Sequence, residues 1–93
     1  MPQLQRVGNH ATSIFTEDGF TKIVYHTTVV VKFNYDTIVL NSGGWETATT
    51  KVRMNQASSQ YNLGFTVLQK DFEWFISYNG KVIDFHDNIE LKR

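Results

Sequence analysis

Asp71 to Asp87, DFEWFISYNGKVIDFHD, is the stretch that decides the fold. Asn79-Gly80 separates two runs rich in aromatic and β-branched residues. A two-residue turn with both central φ values positive favours this pair, because glycine has no Cβ and asparagine tolerates the left-handed region. The stretch reads as a β-hairpin with Tyr78 opposite Lys81, Ile76 opposite Ile83, Trp74 opposite Phe85 and Glu73 opposite His86. Side chains alternate faces along a strand. Phe72, Trp74, Ile76, Tyr78, Ile83 and Phe85 therefore share one surface, while Glu73, Phe75, Ser77, Val82, Asp84 and His86 share the other. The first surface is apolar and needs a cover that the rest of the chain must supply.

Upstream of the hairpin, Phe65 to Gln69 forms a strand that turns at Lys70-Asp71. Before it, TATTKVRMNQASSQYNLG loses the period of two, and Thr50, Met54, Ala57 and Tyr61 fall on one helical stripe. Thr47 or Thr49 can cap that helix at its start, and Asn62 or Gly64 can end it in the left-handed conformation. Lys51, Arg53, Gln56, Ser59 and Gln60 are expected to stay in water. Ser42-Gly43-Gly44 is the strongest breaker in the chain and reads as a loop. Phe20 to Asn34, FTKIVYHTTVVVKFN, reads as one long strand, and Thr37 to Asn41 returns beside it antiparallel. Residues 1–19 read as an N-terminal arm with a short strand near Ser13–Thr16, ended by the turn-forming Glu17-Asp18-Gly19. The closing NIELKR can add a short edge strand or fray. Five antiparallel strands and one helix, with no βαβ alternation, place residues 20–93 in a mainly β (α+β) class. The expected architecture is a small, strongly bent five-stranded barrel of SH3-like, OB-like or Sm-like type, with the helix over one mouth.

A chain of 93 residues makes one domain, and at this size it buries only roughly 60–65% of its unfolded surface, so association of copies adds stability. There is no cysteine, which excludes disulfides, thiolate nucleophiles and sulfur-ligated metals. The formal net charge is zero, so attraction to nucleic acid has to come from a local patch. No run approaches the ~20 apolar residues of a membrane-spanning helix, and the first residues lack the apolar core of a secretory leader. A soluble, cytoplasmic protein is the expectation.

The chemistry-bearing residues divide into three groups. His10, His26 and His86 are the acid/base candidates at neutral pH, but none has the short spacing of a zinc site. Glu73, Asp84 and His86 are the residue types of a carboxylate site for a divalent cation, and they equally make a cross-strand ion pair on a wet face. Ser77 with His86 and Asp84 lacks a nucleophile elbow. No enzyme, cofactor, metal or small-molecule substrate is expected. The third group is Lys51, Arg53, Lys70 and Lys81, interleaved with Gln56, Tyr61, Tyr78 and Asn79. Cations beside aromatics and amides are what a single-stranded nucleic acid needs, with stacking worth roughly 1–3 kcal/mol per base. The same set also makes an ordinary mixed-charge surface.

Two blocks add a resemblance: Thr49-Thr50-Lys51-Val52-Arg53-Met54-Asn55-Gln56-Ala57-Ser58, and Gly64-Phe65-Thr66-Val67-Leu68-Gln69-Lys70-Asp71-Phe72-Glu73-Trp74. Over about Ile23 to Asp87 the chain resembles a family of short proteins of marine cyanophage and ocean-metagenome origin with an Sm-like (LSm) fold. The resemblance implies a bent five-stranded sheet, homo-oligomeric rings, and binding of RNA or DNA in the host cell cytoplasm. The Asp-x-x-x-Asn pattern of the first Sm motif is missing. Only the turn Tyr78-Asn79-Gly80-Lys81 is similar to the second motif, with Asn-Gly in place of Arg-Gly. The expected function is a ring-forming, Sm-like protein with a role in nucleic-acid processing, holding single strands through Lys51, Arg53, Gln56, Tyr61, Lys70, Tyr78, Asn79 and Lys81. The alternative is a phage structural or protein-interaction module that binds no nucleic acid.

Overall fold

A computed structural model describes residues 12–44 and 46–93. Among them lie eight strands and one helix: β1 (Thr12–Glu17), β2 (Phe20–Tyr25), β3 (Thr28–Phe33), β4 (Thr37–Leu40), α1 (Ala48–Tyr61), β5 (Phe65–Lys70), β6 (Glu73–Tyr78), β7 (Lys81–Asp84) and β8 (Ile89–Lys92). The expected hairpin forms with the expected pairing. Asn79 and Gly80 both have positive φ, 52° and 77°, Tyr78 faces Lys81 and Ile76 faces Ile83. The Phe85 amide donates to the Trp74 carbonyl at 3.1 Å just beyond β7, and the two rings meet edge-on with centroids 5.3 Å apart. Glu73 pairs with Lys70 across the preceding turn, and His86 lies past the end of β7, beyond the last β6–β7 pair, Phe75 with Asp84.

The expected mainly β fold with one helix is present, and its strands form two antiparallel sheets with no closed barrel. One has the order β1-β2-β3-β4-β8 and the other β5-β6-β7. Phe20–Asn34, expected as one long strand, is two. His26 takes φ 57°, a left-handed conformation that histidine enters more readily than most side chains, and Tyr25 then pairs with Thr28. A register shift follows, since Val24 pairs with Val29 but Ile23 with Val31. This bulge leaves Val30 as the extra residue and buries Val30 and Val31 together. Residues 12–19, read as part of an arm, form β1 and its turn at the edge of the larger sheet. The rest of that arm, including His10, lies outside the described residues. The NIELKR segment does add an edge strand, as β8 pairs with β4.

One row of the larger sheet, Ile23, Val31, Leu40 and Ile89, runs in register across β2, β3, β4 and β8 and is buried throughout. It packs in one core with Phe65, Val67, Trp74 and Ile76 of the smaller sheet and with Met54 and Ala57 of α1. The helix is capped as its sequence suggests: the Thr47 side chain accepts the Thr50 amide, and Asn62 ends it at φ 56°. Two of its polar side chains do something periodicity does not reveal. Ser58 Oγ donates to the Phe65 carbonyl at 2.6 Å and accepts the Phe65 amide at 3.0 Å. Asn55 Oδ1 accepts the Val67 amide at 2.7 Å, and Asn55 Nδ2 donates to the Val67 carbonyl at 3.1 Å. These four bonds occupy the edge of β5 that faces away from β6, as a neighbouring strand would.

Replacing Ser58 by Ala leaves the buried amide and carbonyl of Phe65 unpaired, at about 1–3 kcal/mol each. Thr47→Ala removes only a cap, worth about 1 kcal/mol. Urea unfolding is expected to rank Ser58→Ala as the clearly larger loss; equal midpoints would contradict the edge-sealing role.

Candidate nucleic-acid interface

The sequence-derived set divides into separate groups. Arg53 is built into the packing: its Nε donates to Thr12 Oγ1 at 3.1 Å, an Nη donates to Gln56 Oε1 at 3.1 Å, and the guanidinium lies 5.6 Å above the Tyr25 ring. Gln56, expected in water, is only 9% exposed. Tyr61 packs against Phe33 with centroids 5.0 Å apart, and the Tyr78 hydroxyl donates to the Lys92 carbonyl at 2.9 Å. Lys51 is half-buried on α1, while Lys70, Asn79 and Lys81 are exposed. Lys70 flanks the β5–β6 turn, whereas Tyr78, Asn79 and Lys81 sit together at the β6–β7 turn. A six-residue β6 separates the two turns, about 17 Å at strand rise.

A different arrangement does bring cations and rings together. On the outer face of the larger sheet, Phe15, Lys22, Lys32 and Val39 form one row across four strands, with Glu90 next in line on β8. Phe20 follows on the same face of β2 because side chains alternate, and Lys32 Nζ lies 5.0 Å from the centre of its ring. Val24 and Val29 continue the face toward the β2–β3 turn. Lys22 and Lys32 flank a hollow of about 120 Å³ that Asn41 and Asn88 also line. Phe15 is 42% exposed, so its ring is available for stacking.

The electrostatics of the two lysines differ. Lys22 Nζ contacts Glu17 Oε1 at 2.8 Å. That hydrogen bond, and the charge behind it, hold the Glu17 carboxyl below its ordinary pKa of 4.5. The pair is therefore intact above the ordinary carboxylate range and is lost as pH falls through the lowered value. Lys32 has no carboxylate partner among the described residues. Sequence reading misses this site because Lys22 and Lys32 stand ten positions apart in what looks like one strand. Only the turn at His26-Thr27 makes them cross-strand neighbours.

The remaining candidates are placed as follows. Glu73 and Asp84 border a shallow hollow of about 320 Å³ beside Glu46 and Phe72, while His86 Nδ1 lies 3.1 Å from the Asp87 carbonyl. Among the described residues, no group of three or more His, Asp or Glu could hold a metal ion. No helix among them is long and apolar enough to cross a membrane.

A protein-family model described as Kyanoviridae Gp96 protein matches residues 3–92. No curated protein and no solved structure matches the chain. The family match bears out the cyanophage part of the resemblance drawn from the helix and β5–β6 blocks.

Arg53 offers a direct check on these placements. Its contacts to β1, β2 and its own helix predict that Arg53→Ala lowers stability by about 1–2 kcal/mol, read as a lower melting temperature. An unchanged melting temperature would assign Arg53 to the free surface instead.

Proposed function

The chain belongs to the Kyanoviridae Gp96 protein family of cyanophages, and from that premise we propose that it binds single-stranded RNA or DNA in the host cell, without a catalytic step, on the outer face of its five-stranded sheet. The observation that carries this reading is the row Phe15–Lys22–Lys32 with Phe20 beneath the Lys32 ammonium. Single strands are held by cations tracking phosphates and by rings on which bases stack, and a sheet face offers both at strand spacing. Lys32 supplies the uncommitted charge. Lys22 becomes available when phosphate displaces Glu17, so Glu17 works as an intramolecular competitor.

The ring that the Sm-like resemblance implies is part of the same proposal. The outer edges of β1 and β7 have no partner strand among the described residues. Pairing of unlike edges between copies closes a ring when the rotation allows, and repeats Lys22 and Lys32 in every subunit. A monomer mass in light scattering would remove the ring and leave the sheet face to be judged separately. A second reading is favoured by β7 itself, where Val82 is 64% and Ile83 37% exposed on an open edge. A partner protein could add a strand there, as expected of an interaction module.

Fluorescence anisotropy with labelled single-stranded oligonucleotides at low salt tests the proposal. Lys32→Glu is expected to weaken binding and to reduce the slope of log K against log salt by about 0.7 or more. Phe15→Ala is expected to cost roughly 1–3 kcal/mol of binding, and Glu17→Gln to strengthen it. Wild-type protein showing no salt-dependent binding, or Lys32→Glu binding as well as wild type, would sink the reading.

A further inference from the structure

Where β2 turns into β3, the sheet, the β4–α1 loop and the start of α1 enclose a cavity of about 370 Å³. Its inner lining is buried, with Val30, Ser42 and Thr50 each no more than 2% exposed. Its rim is open, formed by His26, Thr27 and Thr47. On one side the Tyr25 and His26 rings lie with centroids 4.4 Å apart at 53°. The left-handed backbone of His26 sets its ring at this mouth. On the other side, Gly43 lets the loop approach β3 so closely that a Cβ there would stand 2.5 Å from Thr28 Oγ1.

Several of the polar groups are already committed. Thr47 and Thr50 bond each other at 3.0 Å, and Thr47 also accepts the Thr50 amide. Ser42 Oγ donates to Asp87 at 2.7 Å and accepts the Gly44 amide at 3.1 Å. The hydroxyls of Thr27 and Thr28 and the His26 imidazole have no partner among the described residues. No lysine, arginine, aspartate or glutamate is among the described lining residues; the nearby charges are committed elsewhere, Arg53 to Thr12 and Gln56, and Asp87 to Ser42. Tyr25 carries the Arg53 guanidinium over its ring and packs against His26, so the exposed His26 ring is the aromatic surface; with an apolar floor at Val30 and a few groups that can donate or accept, the cavity suits an uncharged flat ring with a hydrogen-bonding edge.

We infer that this cavity binds a neutral planar heterocycle, the chemistry of a nucleobase, stacked on His26 beside Tyr25 and held at its edge by Thr27 and Thr28. The ring can come from a free nucleoside or from a base splayed out of a bound strand; the second source rests on the sheet-face reading. Lys22 and His26 stand four residues apart, about 13 Å at strand rise, with Lys22 on the outer face and the cavity on the helix side, so a strand reaches the cavity mouth only by passing round the β2–β3 turn.

The test is titration of the isotope-labelled full chain with adenosine and uridine, followed by amide chemical shifts, beside a single-stranded oligonucleotide carrying one fluorescent base analogue. Shifts centred on Tyr25, His26, Thr28 and Thr50 are expected. His26→Gly removes the ring at a position whose φ suits glycine, so it is expected to fold at least as stably and to weaken nucleoside binding about tenfold or more. Thr28→Val is expected to weaken it by less. Analogue fluorescence quenched in wild type but not in His26→Gly assigns the base to the strand. Quenching equal in both, with nucleoside shifts still lost in His26→Gly, assigns the cavity to free nucleosides. Nucleosides that leave these amides unmoved, or that bind His26→Gly as tightly as wild type, overturn the inference. If the oligonucleotide still binds through Lys32 in that case, the sheet-face reading stands without the cavity.

Discussion

The four hydrogen bonds from Ser58 and Asn55 to Phe65 and Val67 hold the molecule together as one body. A three-stranded sheet of short strands has little stability alone, and an unsealed edge invites pairing with other chains. By giving the outer edge of β5 two side chains in place of a strand, α1 fixes the smaller sheet to itself. Met54 and Ala57 on the same helix then enter the core shared with the larger sheet. Asp87 adds a second tie: its carboxylate accepts both the amide and the hydroxyl of Ser42, each at 2.7 Å, joining the segment before β8 to the loop before α1. Among the described residues no element packs on the outer face of the larger sheet, because the helix and the smaller sheet occupy its inner one.

Much of this was legible in the sequence wherever a single residue type enforces a conformation. Asn79-Gly80 marks the hairpin and its register, one of the two caps offered at each helix end is the one used, Thr47 and Asn62, and the closing NIELKR forms the edge strand β8. The failures have physical causes. His26-Thr27 contains no glycine or asparagine, so an unbroken β-branched run concealed a turn, and one strand stood where there are two. The turn expected at Lys70-Asp71 lies one residue later, at Asp71-Phe72 with φ of 52° and 68°, and Phe72, read on the apolar face, is 92% exposed. A bulky residue in that conformation is strained, and no composition rule anticipates it. With the extra turns and the bulge at Val30, the strands form two sheets with no closed barrel.

The candidate site follows the same logic. Cations and rings were read as neighbours along the chain, but a nucleic-acid surface depends on neighbours across strands. Arg53 and Gln56 turned inward because the helix needs polar links to β1 and to itself. Tyr61 and Tyr78 serve packing and a backbone bond. Lys22 and Lys32 met because the chain reverses at His26, the residue that also opens the cavity beside the helix. His26, read from the sequence only as an acid/base candidate, thus shapes both surfaces on which the proposed binding rests.

The sealing of β5 by α1 is tested most directly by native-state hydrogen exchange at the Phe65 and Val67 amides. The structure predicts that both exchange only through global unfolding, with protection equal to that of Ile76 in the centre of the smaller sheet. Exchange of Phe65 and Val67 as fast as the amides on the open edge of β7 would contradict it.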